Sequence, residues 1–225
     1  MATSSLFTNL GRAAKVVALL LFFLPFVTVS CSTQALEQIQ REAARDAPQL
    51  ATPGPNLGME VPIADASGLQ MALGQVSMRL PNTPASRAEA PATSNQPPEV
   101  PIEIGVIAGA ALILLALLGS FLLKGAGGAI AGIGGSALAL VALCYSVFFS
   151  YPPAVRAAFA AHNPSAAGGG EGAPTPDQIA QILSVKPAGG FWFVLIFLAL
   201  AILFNALAMR KRSAAAATPP ATGLS

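Results

Sequence analysis

Four runs of apolar residues alternate with polar segments along this chain of 225 residues. The runs cover residues 14–31, 102–123, 127–150 and 191–209. A helix needs ~20 mainly apolar residues to cross the ~30 Å hydrocarbon layer of a membrane. The pattern therefore predicts an all-α membrane protein with four transmembrane helices.

The charged residues separate by sign. All ten acidic residues fall within 32–103 or 151–190. Outside those segments every charge is basic: Arg12, Lys15, Lys124, Arg210, Lys211 and Arg212. Because Lys and Arg in short segments beside spans stay in the cytoplasm, we expect both termini inside. The predicted order is a tail 1–13, span 14–31, outer loop 32–101, span 102–123, inner turn 124–126, span 127–150, outer loop 151–190, span 191–209 and tail 210–225.

Composition agrees with this assignment. The chain is 54% hydrophobic and only 10% charged, too few charges to cover a soluble globule of this size. Its mean hydropathy is +0.64. No Asp, Glu, Lys, Arg or His is expected deep in a span, which argues against an ion-coupled transporter.

Small structural elements are expected in the outer loops. Helical spacing predicts short helices at 34–47 and 176–185, the second with a capping box at Thr175. Residues 69–80 fit a β-hairpin turning at Gly74-Gln75 slightly better than a helix capped by Ser67. Ten prolines within 48–101 exclude a long regular element there.

The first apolar run has two interpretations. As a span it carries Pro25 near its middle, where a kink is expected. As a secretory signal it would end at Ser30-Cys31, a bacterial lipoprotein cleavage site that would make Cys31 lipidated. Cys144 is the other cysteine, and a Cys31–Cys144 disulfide is the less favoured alternative to two unpaired thiols.

Small residues line faces of the middle spans. In a membrane the hydrophobic effect does not drive helices together, and small residues let their backbones approach closely enough to pack. We expect these residues to pack the second and third spans as a hairpin, with oligomerisation as the alternative. In the fourth span Asn205 is expected to make an interhelical hydrogen bond. The predicted packing residues are Gly105, Gly109, Gly128, Gly132, Ser136 and Asn205.

Catalytic and cofactor motifs are missing from the sequence. His162 is the single histidine, too few for a usual zinc site. No GxSxG, HExxH, P-loop or strand-linked GxGxxG occurs. The sole basic cluster, residues 210–212, is explained as a topology anchor rather than a nucleic-acid site. We expect a non-enzyme with no cofactor, no metal site and no nucleic-acid partner.

Two segments carry a resemblance to other proteins. FLPFVTVSC (residues 23–31) and SGLQMALG (residues 67–74) resemble a pattern in uncharacterised small bacterial four-span membrane proteins. There a short span ends in FLP-aromatic-x-x-V-S-C, and a G-x-Q-x-A-x-G-like stretch follows in the first outer loop. The resemblance covers about a quarter of the chain. It implies a bacterial inner-membrane protein with outward loops, and no activity.

The function expected from these features is that of an accessory or scaffold protein. Beyond the lipid bilayer, its partner would be another membrane or periplasmic protein, or a second copy of itself. The residues expected to face the partner are Leu69, Met71, Val76 and Met78. The alternative is a small-molecule or lipid carrier with a cavity among the second, third and fourth spans, lined by Asn205, Ser136 and Ser146.

Overall fold

Four helices long and apolar enough to cross a membrane occur among the described residues. The computed structural model describes residues 2–31, 61–78, 99–123, 125–162 and 183–217. The helices are α1 (Ala2–Leu20), α2 (Gly68–Ala72), α3 (Ile104–Leu122), α4 (Ala126–Tyr145), α5 (Tyr151–His162) and α6 (Gly189–Ala217). The strands are β1 (Pro25–Cys31), β2 (Val61–Ser67), β3 (Ser77–Met78) and β4 (Leu183–Pro187).

The chain divides into two compact units. The helical unit comprises residues 1–22, 105–145 and 192–225, and the sheet unit comprises residues 23–104 and 146–191. α1, α3, α4 and most of α6 therefore belong to the helical unit, and all four strands belong to the sheet unit.

In the helical unit α3 and α4 form an antiparallel hairpin. A Cβ on Gly109 would lie 2.8 Å from Leu143, one on Gly119 would lie 3.2 Å from the Ala131 Cβ, and one on Gly135 would lie 2.6 Å from the Ala116 Cβ. The partner numbers on α4 fall as those on α3 rise, as antiparallel packing requires. Gly125 joins the helices with a φ of 75°, a left-handed conformation that glycine adopts without strain.

The first predicted span is wrong at both ends. The helix begins at Ala2 and ends at Leu20, and the apolar stretch able to cross a membrane is Leu6–Phe23. After one 3₁₀ turn, Pro25 begins β1 instead of kinking a helix. Proline disfavours the helical conformation of the preceding residue, and the β-branched run Val27-Thr28-Val29 favours a strand.

The sheet unit is built on a four-stranded antiparallel sheet in the order β3-β2-β1-β4. The register places Thr28 opposite Asp65 on one side and opposite Lys186 on the other. The Thr28 hydroxyl donates to an Asp65 carboxylate oxygen at 2.9 Å. Because β1 and β4 come from different connections between the apolar helices, both connections fold on the same side of any membrane that the helices cross.

The hairpin predicted over 69–80 is wrong. Ser67 instead caps the short helix α2, and the Ser67 and Gln70 side chains form a reciprocal capping box. The chain then turns at Gly74, whose φ is 68°. β3 pairs with Ala64 and Asp65 of β2 rather than with residues 69–73. The alternative helix is therefore correct at its cap, but it ends at Ala72.

The second outer connection also differs from expectation. α4 passes through a π-helical turn at Ser146–Ser150 into α5, so helix continues into the predicted loop 151–190. Residues 183–185, predicted as the end of a helix, begin β4. The rest of that predicted helix, and the one predicted at 34–47, lie outside the described residues. The spans predicted at 102–123 and 191–209 correspond to α3 and α6.

The buried Phe26 and Phe191 form an aromatic cluster in the sheet unit with Phe148, which is exposed. Phe191 makes edge-to-face contacts with Phe26 at 6.0 Å and with Phe148 at 5.6 Å between ring centroids, a favoured geometry for aromatic pairs. Gly190 permits this arrangement, because a Cβ there would lie 2.5 Å from the Pro25 carbonyl oxygen.

Candidate functional site

A buried lysine is the most unusual group in the helical unit. Lys15 on α1 has no solvent-exposed surface. Its ammonium donates to the Ala116 carbonyl oxygen of α3 at 3.3 Å. Lys is almost never fully buried unless it is paired, so the surroundings of this group need an explanation.

Arg12 lies about one turn before Lys15 and contacts the same helix. Its guanidinium donates to the Ser120 carbonyl oxygen and stacks on the Phe121 ring at 4.2 Å from the centroid. Ser120 lies in the last turn of α3, where carbonyls lack intrahelical partners and the helix dipole is negative. The two cations of α1 are thus stabilised by carbonyl dipoles and a ring face of α3.

Gly132 and Asn205 complete the surroundings of Lys15. A Cβ on Gly132 of α4 would lie 2.8 Å from Lys15 Nζ and 3.0 Å from Asn205 Nδ2. Asn205 of α6 is 1% exposed, and a Cβ on Gly11 of α1 would lie 3.1 Å from its Nδ2. We name the set Arg12, Lys15, Gly132 and Asn205 the cationic cluster. All four long helices meet there.

Among the described residues, Asn205 makes a hydrogen bond within its own helix instead of the interhelical one that the sequence predicts. Its amide donates to the Ala201 carbonyl oxygen of its own helix at 2.7 Å. The contacts with Gly11 and Gly132 are steric, because neither glycine offers a side chain. Asn205 therefore packs between helices while its donor is satisfied within α6.

The cationic cluster lies inside the apolar part of the unit. Ala116, Gly132 and Asn205 are each six residues from an end of their spans, at Leu122, Ala126 and Lys211. Six residues correspond to ~9 Å of helix. The expectation that no span holds a deep cation was wrong because the first span was placed at 14–31. Lys15 stood at the end of the predicted span, whereas it lies near the middle of the apolar stretch Leu6–Phe23.

The charged side chains of the helical unit all have the same sign. Its sequence contains six basic residues and no Asp or Glu. No Asp or Glu of this unit can therefore pair with Lys15. The buried Arg12 Nε and Ser136 Oγ have no hydrogen-bond partner among the described residues. The arrangement joins helices through contacts between cations and backbone carbonyls.

The predicted packing glycines have different roles. Gly109 packs α3 on α4, as expected. Gly128 instead closes the connection between these helices, since a Cβ there would clash with the Leu123 carbonyl oxygen. Gly132 makes room for the cationic cluster, and Gly105 is half-buried in the first turn of α3. Sequence reasoning missed the contacts of Gly119 and Gly135, although Gly135 follows Ala131 at the same i,i+4 spacing.

Two of the four residues expected to face a partner lie in the core. Met71 is fully buried and Val76 is 5% exposed, which corrects both assignments. Leu69 and Met78 are 44% and 47% exposed. The sequence analysis missed Leu73, which is 55% exposed. The alternation that suggested a hairpin placed Met71 and Leu73 on one face, whereas helix α2 and the following turn direct them apart.

Neither cysteine is bridged. Cys31 ends β1 in the sheet unit and Cys144 lies on α4 in the helical unit, and both are free thiols. Burial raises the pKa of the Cys31 thiol, which lowers its thiolate fraction and its reactivity.

The residues expected to line a carrier's cavity are tightly packed. Ser136 and Ser146 have no exposed surface, and Asn205 has 1%. A different cleft, of about 470 Å³, opens between α4 and α6 and is lined by Ile133, Ala206, Met209, Arg210 and Ser213. None of these residues was predicted to bind a ligand.

Comparison with protein-family models, with curated proteins and with solved structures finds no match. Within the described ranges, no group of three or more His, Cys, Asp or Glu side chains could hold a metal ion.

Proposed function

We propose that the protein is a non-enzymatic accessory or scaffold subunit of a bacterial inner membrane, and that it presents the sheet unit to a protein partner in the periplasm. The observation that carries this proposal is the sheet itself. Its strands come from both outer connections and pair into one folded unit. Only Ala188 separates β4 from α6, and four residues separate α1 from β1.

The partner surface is the exposed apolar patch at α2 and β3, formed by Leu69, Leu73 and Met78. Three large apolar side chains, each more than two-fifths exposed, lie within ten residues of one another. Clustered apolar exposure marks interaction sites more often than scattered exposure does. The sheet unit's sequence carries ten acidic and six basic residues. The partner proposed is therefore a protein whose contact surface is apolar with a basic rim.

Serine substitution of the patch tests the partner surface. The variant Leu69→Ser/Leu73→Ser/Met78→Ser removes apolar area without adding charge. A tenfold loss of binding needs only about 1.4 kcal/mol from the three positions together. In mild detergent we expect a stoichiometric partner to copurify with the native chain and its yield to fall at least tenfold with the variant. Gln75→Ser, at an exposed position of the same turn, is the matched control.

Equal partner recovery with the triple variant would contradict the proposed surface, provided that the variant keeps the native melting temperature. No stoichiometric partner from the native chain, in membranes where it is expressed at natural levels, would contradict the scaffold function itself.

The orientation is tested separately. Because the cations beside the spans favour the cytoplasm, we expect fusions at Thr83 to report the periplasm. We expect fusions at Ser213 to report the cytoplasm. Alkaline phosphatase and a fluorescent protein give opposite readouts in these compartments. The same compartment signal from both positions would overturn the assigned topology.

The alternative function, a carrier with a cavity among the second, third and fourth spans, has less support. The polar side chains that such a cavity would need at its centre are buried against protein. The cleft between α4 and α6 is displaced from them toward the inner end of α6.

A further inference from the structure

The cleft between α4 and α6 changes chemical character along its length. Ile133, Ala206 and Met209 give it an apolar wall, and Arg210 and Ser213 give it a polar end. Its volume of about 470 Å³ lies within the usual range of small-ligand sites, ~300–1,000 Å³.

The polar end lies where the membrane surface is expected. The apolar stretch of α6 ends at Lys211, and Ser213 follows two residues later. Ala206 is five residues before Lys211, which corresponds to ~7.5 Å of helix. The lining thus changes from apolar to polar at the level where hydrocarbon meets headgroups. An occupant that fits it has an apolar chain and a polar head.

The charge of the helical unit favours an anionic head. No acidic residue in this unit can neutralise Arg210. Lys211 and the unexposed Lys15 are also basic, and Arg12 and Lys15 donate to carbonyls rather than to carboxylates. Basic pockets between transmembrane helices on the cytoplasmic side bind anionic lipid headgroups.

We propose that this cleft is a binding site for an anionic phospholipid of the inner leaflet. One acyl chain lies along Ile133, Ala206 and Met209. The headgroup phosphate accepts hydrogen bonds from the Arg210 guanidinium. It also accepts one from the Ser213 hydroxyl, which turns to it from the Met209 carbonyl oxygen that it contacts at 3.3 Å in the unbound protein. The site is separate from the proposed partner surface. It holds one lipid molecule at a defined position, in addition to the bulk lipid that surrounds the helices.

Lipid binding to the full-length protein in detergent tests the proposal. Native mass spectrometry counts bound molecules of added phosphatidylglycerol or phosphatidylcholine. The wild type is expected to retain phosphatidylglycerol preferentially. Because a basic residue near the surface contributes ~1 kcal/mol to anionic lipid binding, Arg210→Gln should weaken retention about fivefold.

Lys211→Gln is the matched control for Arg210→Gln. It makes the same charge change one residue along α6, where the Lys211 ammonium lies 4.6 Å from the Phe7 ring centroid. We expect it to retain phosphatidylglycerol within about twofold of the wild type. Equal losses in the two variants would overturn the site in favour of diffuse electrostatic attraction.

A second variant tests the apolar wall without changing charge. Ala206→Phe adds a ring to the half-buried wall of the cleft and is expected to reduce retention of the lipid while the melting temperature is maintained. If Arg210→Gln fails to fold, this variant decides the question alone. Equal retention of phosphatidylcholine by the wild type, or competition by inorganic phosphate at millimolar concentration, would also overturn the proposal.

Discussion

Replacing Gly132 with leucine is expected to destabilise the protein by about 3 kcal/mol, because the new side chain would overpack a filled core. Even its Cβ would lie 2.8 Å from Lys15 Nζ and 3.0 Å from Asn205 Nδ2. The lysine is buried, so it would have to move away from the Ala116 carbonyl. Thermal unfolding in detergent should show a melting temperature lowered by roughly 9 °C, at 2–4 °C for each kcal/mol.

Gly134 provides the matched control on the same helix. A Cβ there meets nothing within 4 Å, and the position is exposed. Gly134→Leu makes the same sequence change two residues along α4 and gains helix propensity. We expect its melting temperature to stay at or slightly above the native value. Equal losses at Gly132 and Gly134 would contradict the steric role of Gly132 in the cationic cluster.

Reversing the charge of Lys15 is expected to prevent the protein from folding into a monodisperse species. In Lys15→Glu a carboxylate would face the Ala116 carbonyl oxygen, whose partial negative charge would repel it. Arg12, one turn away, already donates to the Ser120 carbonyl oxygen, and a buried charge left without full compensation typically costs ~3–5 kcal/mol. The variant should fail to give a monodisperse peak in fluorescence-detected size-exclusion chromatography.

Lys15→Met separates the charge from the shape of the side chain. Methionine fills a similar volume and needs no counter-charge. Since replacing buried charges with well-packed apolar groups is often neutral or stabilising, we expect a monodisperse protein with a melting temperature at or above the native value. If Lys15→Glu were as stable as Lys15→Met, the carbonyl environment assigned to Lys15 would be incorrect.

Loss of function in a correctly folded Lys15→Met variant would indicate that Lys15 does more than stabilise the fold. The cationic cluster lacks a carboxylate partner within the helical unit, and its contacts account for a structural role. Should Lys15→Met fold normally yet abolish partner copurification or growth complementation, Lys15 would have a role beyond holding α1 against α3.

The sequence predicted the membrane helices well where a long apolar run was the deciding signal. α3 and α6 lie within a few residues of their predicted positions or extend beyond them. Hydropathy is a sum over neighbouring residues, so a window along the chain measures it directly. The Ser67 cap was also visible locally, because its partner Gln70 is three residues away.

The same local signal failed for the first span. FVTVSC is as apolar as a span, and hydropathy does not distinguish a buried strand from a membrane helix. β1 is buried because β2 and β4 pair with it on either side. Its partners are at least 30 and more than 150 residues away, and nothing local in the sequence indicates that pairing.

The sequence by itself determined that this is a multi-pass membrane protein whose charges separate by sign along the chain, because length, hydropathy and charge are properties of contiguous residues. Only the tertiary structure decided that Arg12 and Lys15 enter the helical unit, that Met71 is core while Leu73 is exposed, and that two distant connections share one sheet. These features depend on contacts between distant residues, and such contacts decide which face of an element is buried.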